Sequence, residues 1–421
     1  MLDATDKRVQ PLSIQKNMIW NSAGSFVNLV CAWCITVLVL RLSTGYDEAG
    51  VYSYVMSIYA IFSSVADFRI YLFQISDVHG ENTMGEYFAL RLITGGMALV
   101  LTMVYGMLSS APGLWLPILF YSLYKIAGTL LDTFHAVQQA KHRMDYMGMS
   151  YAIQGIASLA VFAAVFGPTQ NLTLTLAAMF GVTVLIGIVY DLPRGIYFED
   201  LKVRISWGKA WHLLVTCVPA VVAFIAISSA TSVPRQYLMN SMGEAALGAY
   251  GTMAAPIAII QTGASYIYNP LCSYFVDAFE ARNRKRFNKL MLVTILAIAL
   301  LGVVCLLGVE WFAAPLYALI YGEQVLEYTY LLPPLVIGCL AIAFSSFMNS
   351  LATVLRNFKA TFVGGLVAFG VSLALMVPLI NALGLNGVTY TTMVSALVAS
   401  LVMYVLIHRQ MNENFNSAPK E

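Results

Sequence analysis

Apolar runs of about 20 residues recur along the chain, each closed by a short polar stretch, which is the spacing a bilayer core imposes on helices. About twelve such runs fall near 18–41, 50–72, 87–109, 114–135, 148–167, 172–191, 212–233, 246–270, 289–309, 328–350, 361–381 and 388–408. The first follows roughly sixteen polar residues, is too long for a signal-peptide core, and reads as a retained span. The pattern predicts an all-α integral membrane protein.

Several runs carry a polar stripe at helical spacing. Span one has Asn17, Asn21, Gly24 and Asn28; span two has Ser53, Ser57, Ser64 and Asp67. Span eight has Gln261, Ser265 and Asn269, and span ten ends with Ser345, Ser346 and Asn349. Amides and hydroxyls need partners in hydrocarbon, so these faces are expected to look inward. A single stripe is commonly helix–helix glue; several together point to a shared hydrated cavity.

Span four differs in kind. Trp115 to His135 is apolar and long, yet Lys125 lies near its middle, at a cost of roughly 2.5–3.5 kcal/mol. Tyr121, Lys125, Gly128, Thr129 and Asp132 share one helical face. Two readings stand. In one, Lys125 and Tyr121 face a cavity and meet an anionic substrate. In the other, Lys125 pairs with Asp132 or packs against carbonyls, for structure alone.

Composition sharpens the class. The chain of 421 residues is 59% hydrophobic and 10% charged, against about 25% charged in soluble domains. No basic patch with interleaved aromatics suggests a nucleic-acid partner. Cys31 and Cys34 form an isolated C-x-x-C, and all six cysteines lie in apolar runs. The five histidines form no cluster with ligand spacing, so no metal site is expected. No D-x-D, Walker or H-E-x-x-H motif appears in a plausible context.

Lys and Arg concentrate in alternate loops. One set holds Lys7, Arg8 and Lys16, then Lys141 and Arg143, then Arg194 to Lys209, then Arg282 to Lys289, then Arg356 and Lys359. The other set is short and nearly free of basic residues. This asymmetry predicts cytoplasmic termini and an even number of spans. The longest inter-span stretch, Asp191 to Trp211, lies near the midpoint and reads as a linker on the membrane surface. A six-plus-six arrangement follows: spans one to six in 1–190, a linker in 191–211, spans seven to twelve in 212–421. DEAGVY around Gly50 and EAALGAY around Gly248 are a faint trace of a parallel repeat.

Three basic residues lie inside or at the outer edge of spans: Arg41, Lys125 and Arg235. Arg41 and Arg235 either face the cavity or snorkel to the interface.

The stretch KNMIWNSAGSFVNLVCAWCITVLVLRL, followed by DEAGVYSYVMSIYAIFSSVADF, resembles the opening of the polysaccharide-transporter branch of the MOP exporter superfamily. In particular it is similar to Wzx-type flippases of lipid-linked oligosaccharides. VPAVVAFIAISSATSVPRQYLMNSMGEAALGAYGTM resembles that family's seventh span and the opening of its eighth, with Val-Pro before Arg235 in place of an aspartate. The resemblance implies a MATE-like fold of two six-helix lobes that alternate access to a central, positively lined cavity. Lys125 is the best counterpart of that lining; the residues read above add Arg41, Arg235, Asn21, Asn28 and Tyr121 as substrate-binding candidates. It implies flipping of a polyprenyl-pyrophosphate-linked oligosaccharide to the outer leaflet of a bacterial cytoplasmic membrane, amid membrane lipids and glycan-assembly enzymes. It implies no cofactor. Coupling to a proton or sodium gradient would fall to Asp67 or Asp132, with Arg69 as a salt-bridge or gate partner. The alternatives are a cation-coupled multidrug exporter of the same fold and a membrane glycan polymerase. The first needs deep carboxylates in spans one and seven, which are absent; the second needs a large outer loop.

Overall fold

The computed structural model describes residues 6, 8–43, 45–68, 70–76, 82–268, 271–355 and 357–416. Every regular element among them is helical. In order they are α1 (Ile14–Leu42), α2 (Asp47–Asp67), α3 (Ile70–Ser76), α4 (Met84–Ser109), α5 (Trp115–Ala140), α6 (Met144–Thr169), α7 (Leu172–Ile186) and α8 (Leu192–Ile196). There follow α9 (Trp207–Met242), α10 (Glu244–Tyr268), α11 (Leu271–Glu280), α12 (Arg284–Tyr321), α13 (Leu332–Val354), α14 (Phe358–Leu383) and α15 (Leu385–Asn416). Ten described helical segments are long and apolar enough to cross a membrane. With α9 and α10, six long helices lie in each half of the chain, as the apolar runs predict.

Side chains in the polar stretches set the helix ends. Asn171, Asn283 and Asn357 cap α7, α12 and α14, each accepting from a backbone N–H three residues on. Thr83 and Glu86 form a reciprocal capping box on α4. Gly243, Gly322 and Gly384 stop α9, α12 and α14 at positive φ, where other residues would be strained.

Several helices overrun the expected spans. α12 has 38 residues, about 57 Å at 1.5 Å per residue, nearly twice a hydrocarbon core. Its basic first turns and its Trp311–Tyr321 end continue the helix beyond the apolar part that hydropathy detects. Span six also ends differently. After α7 a π-helical turn, Gly187–Asp191, carries the chain into α8. It turns Asp191 fully inward instead of leaving it at the start of a surface linker.

The chain divides into two compact units. One comprises Met1–Thr44 with Ile58–Val221, the other Gly45–Ser57 with Val222–Glu421. In the first, α1 packs along α6, and α5 packs on α4 and α7. The stretch 191–211 belongs to this unit. Phe198 is buried with Met84, Leu131, Phe134 and Val137, the Met84 N–H donates to Glu199 Oε2 at 2.8 Å, and Lys209 pairs with Glu86 at 2.9 Å. Ile196 and Val203 remain exposed, so only part of the stretch presents an apolar face outward. In the second unit α13 and α14 pack on α15, around a core that includes Phe275, Phe287, Phe347 and Met403.

Close helix crossings rest on glycine pairs. In lipid, helices gain little from hiding apolar surface, so association depends on close packing at small residues. A methyl group on Gly24 would overlap the Gly148 carbonyl, and one on Gly148 would overlap the Trp20 carbonyl. This is the α1–α6 crossing of the first unit. In the second unit a methyl on Gly50 would overlap the Glu244 carbonyl, and one on Gly248 the Tyr46 carbonyl. The two short sequence motifs around Gly50 and Gly248 therefore meet each other. Gly148→Val and Gly248→Val are each expected to cost about 1–3 kcal/mol through overpacking. Thermal unfolding in detergent should show this as a lowered midpoint. Gly96→Ala, where a methyl meets nothing within 4 Å, is the control expected to leave the midpoint in place.

Candidate functional site

The first unit holds a cavity of about 670 Å³, within the range of roughly 300–1,000 Å³ usual for ligand sites. Five helices line it. α1 contributes Asn21, Ser25 and Asn28; α3 contributes Tyr71; α5 contributes Tyr124, Lys125, Gly128, Asp132 and Gln139. α6 adds Met147, Tyr151 and Gln154, and α7 adds Thr183.

The polar stripe of α1 divides its labour. Asn17 is buried and structural: its amide donates to the Leu12 and His142 carbonyls, and its Oδ1 accepts from the Met144 N–H at the start of α6. Gly24 makes the close crossing just described. Asn21 and Asn28 are left to face the cavity. On α5, Gly128 lies at its edge, with open space where a side chain would be.

Lys125 Nζ stands 5.8 Å and 5.2 Å from the ring centroids of Tyr121 and Tyr124. Such contacts contribute about 0.5–1 kcal/mol each at hydrated sites. They offset only part of the cost of holding an ammonium in mid-membrane. Among the described residues no carboxylate lies within 4.0 Å of Nζ, so the reading in which Lys125 is locked to Asp132 does not hold. Tyr121 is buried behind Lys125, edge-on to Tyr59 and Tyr124. Tyr124, one residue before the lysine, takes the place at the cavity wall that the helical stripe gave to Tyr121.

The other end of the cavity is acidic and engaged. Asp132 keeps 28% of its side chain exposed, accepts from Tyr151 OH at 3.2 Å, and lies 3.2 Å from His135 Nδ1. His135 is fully buried, and its Nε2 lies 3.2 Å from Oδ1 of Asp191, itself fully buried. Ser150 Oγ donates to the second Asp191 oxygen at 3.0 Å, and Gln154 Nε2 donates to Ser150 at 2.9 Å. An imidazolium donates to both carboxylates, whereas a neutral ring donates to only one. Arg91, 1% exposed, donates from Nη1 to the Thr129 carbonyl at 2.7 Å and lies in the field of Asp132 and Asp67.

The structure therefore brings together Lys125, Asn21, Asn28 and Asp132. It places Arg41 in the exposed last turn of α1, away from the cavity lining. Arg235 lies in the second unit, over the Tyr250 ring at 5.8 Å, in a separate cavity of about 80 Å³ with Thr231, Gln261 and Thr389. Asp67 ends α2 outside the cavity lining. Arg69 lies outside the described residues. Hydropathy missed Tyr71, Gln139, Tyr151, Gln154, His135 and Asp191. One signal was present: Asp132 and His135 are three apart, hence neighbours on one helix face. The other partners come from distant segments.

Comparison with known proteins extends the picture. No protein-family model matches the chain. The sequence is 21% identical over 400 residues to the capsular polysaccharide biosynthesis protein CapF of Staphylococcus aureus, covering 94% of this chain and 99% of that protein. The fold is similar to that of the lipid II flippase MurJ in an inward closed conformation, with TM-score 0.72, 11% identity, and 93% and 87% of the two chains covered. It is also similar to an inward-facing multidrug resistance MATE family transporter of the MOP superfamily, with TM-score 0.66, 12% identity, and 96% and 100% covered. A MOP superfamily transporter from Pyrococcus furiosus, described as having a binding pocket of reversed polarity, matches with TM-score 0.62, 14% identity, and 99% and 100% covered.

The two ends of the cavity call for opposite responses to mutation. His135→Leu leaves the buried Asp191 without its imidazole partner and is expected to cost about 3–5 kcal/mol. Lys125→Ala removes an ammonium from an open cavity and is expected to leave the unfolding midpoint nearly unchanged. Thermal unfolding of both purified variants, read by tryptophan fluorescence, checks the contrast. Taken together, the helices, the cavity and these likenesses give the chain a multi-pass membrane fold of the MATE-like kind, shared by MOP-superfamily transporters and MurJ.

Proposed function

We propose that this protein flips a polyprenyl-pyrophosphate-linked oligosaccharide from the inner to the outer leaflet of a bacterial cytoplasmic membrane, for surface polysaccharide assembly. The observation that carries this reading is Lys125. Its ammonium lies against two tyrosine rings in an open cavity and, among the described residues, has no carboxylate partner, which is the arrangement of a site awaiting an anion. Asn21, Asn28, Gln154 and Tyr71 supply amides and hydroxyls suited to sugar hydroxyls. The similarity to a capsular polysaccharide biosynthesis protein and the fold of a lipid II flippase support the same substrate class.

The physics of the task fits the site. A sugar pyrophosphate cannot cross hydrocarbon unaided, while its lipid tail is at home there. The protein has only to shelter the head and offset its charge, and no covalent step is needed. Movement would expose the site to one side of the membrane at a time, the alternating access of repeat-built transporters. Arg235 and Arg41 are proposed as further anion contacts on the route. Asp132, with Asp67 and Arg69, is proposed for coupling to a proton or sodium gradient. A multidrug exporter of organic cations would need a carboxylate free to meet the drug, and Asp132 is held by His135 and Tyr151.

In a strain whose surface glycan depends on this protein, Lys125→Ala is expected to lower glycan export about tenfold or more, the loss of one charge-assisted contact in a desolvated site. Lys125→Arg should retain part of it. Gly128→Trp, which fills the cavity without touching a charge, should also block export. Lipid-linked intermediates should accumulate on the cytoplasmic face in both defective variants. Normal export by Lys125→Ala at normal protein level would overturn the assignment.

A further inference from the structure

A second surface feature lies in the other unit, far along the chain from Lys125, and plays no part in the proposed transport step. The densest run of positive charge in the sequence, Arg282 to Lys289, opens α12. Arg284, Lys285, Arg286 and Lys289 are all exposed. Asn283 caps the helix through its Oδ1, so these residues start a helix whose apolar remainder spans the membrane.

Directly beyond them a groove of about 210 Å³ runs between α12 and α15. Its α12 wall includes Asn288, Leu292 and Ile295, and its α15 wall includes Tyr404, Ile407 and His408. Arg284 lies four residues before Asn288, and Lys285 lies seven before Leu292, so both are on the groove's face of the helix. Lys289, three residues before Leu292, borders the same face, whereas Arg286, two residues before Asn288, lies on the far side of the helix. On α15 the Tyr404 and His408 rings stack at 5.8 Å between centroids, and Arg409 follows, exposed. The groove is thus cationic at its rim, amphipathic at Asn288 and His408, and apolar below. From Phe287 to Ile295 it covers about 12 Å of helix rise.

Leu292, Ile295 and Tyr404 are exposed in the protein alone, on a helix that spans the bilayer, so what covers them there is lipid. The positive charge at the rim decides which lipid. We propose that this groove is a binding site for an anionic phospholipid of the cytoplasmic leaflet. Its phosphate lies between Arg284, Lys285 and His408, and one acyl chain lies along Leu292, Ile295 and Ile407. Clustered Lys and Arg at the cytoplasmic end of a spanning helix attract anionic headgroups, and a groove between helices adds a fixed place for the chain.

The test uses the full-length protein, delipidated in detergent and offered dioleoyl phosphatidylglycerol or dioleoyl phosphatidylcholine at equal concentration, with retained lipid counted by native mass spectrometry. The expected result is a preference for phosphatidylglycerol of about tenfold or more. The variant Arg284→Gln should lose most of it, and Arg286→Gln, off the groove's face, should keep most of it. Leu292→Trp, which fills the groove and leaves every charge in place, should lower retention as well. An equal retention of the two lipids overturns the proposal. So does equal loss in the two charge variants, which would mean a diffuse patch. Full retention in Leu292→Trp, or displacement of the lipid by glycerol phosphate alone, removes the groove from the account and overturns it too.

Discussion

An ammonium held near the middle of a membrane-crossing helix is the constraint around which the first unit is arranged. Hydrocarbon does not tolerate it, and the two tyrosine rings beside Lys125 return less than its desolvation costs. The rest must come from polar surroundings. The unit supplies them as a cavity walled by five helices, with amides from α1, phenols from α3 and α6, and a glycine on α5 where a side chain would intrude. The opposite end of the same cavity is built on another principle. There Asp132, His135 and Asp191 compensate one another, so the acidic end is closed upon itself while the cationic end stays open. On the proposed function, that contrast, more than the presence of charge, is what would let the site take an anion.

Such a cavity requires helices that approach closely elsewhere. Without a hydrophobic drive between helices in lipid, backbone-to-backbone packing has to hold them, and glycine is the residue that permits it. Gly24 and Gly148 bring α1 against α6, which sets Asn21 and Asn28 on the cavity wall one turn away. Gly50 and Gly248 do the same for α2 and α10 in the second unit. The same kind of residue thus fixes the frame in both units.

The sequence carried the helices well and the site unevenly. Every apolar run became a long helix, because thickness and hydropathy are properties of the run itself. Lys125, Asn21, Asn28 and Asp132 were legible as breaks in otherwise apolar faces. Periodicity grouped them only within each helix; that the α1 and α5 stripes share one cavity is seen in the structure. Asp191 was misplaced because it follows an apolar run and precedes Pro193 and Arg194; a π-helical turn, which leaves no mark in hydropathy, carries it inward. His135 was visible as a histidine but not as a bridge, since one of its two partners is on a distant segment. Helix ends such as those of α12 were underestimated for the opposite reason. Charged turns continue a helix perfectly well once it has left the hydrocarbon.

The central claim is that Lys125 meets phosphate in a wet cavity. Its most direct test is calorimetric titration of purified protein with a polyprenyl pyrophosphate and with the matching neutral polyprenol, in the wild type and in Lys125→Gln. The account predicts that the wild type prefers the pyrophosphate by about tenfold or more, the scale of one charge-assisted contact. It predicts that Lys125→Gln binds both lipids alike. A preference for the pyrophosphate that survives unchanged in Lys125→Gln would contradict it.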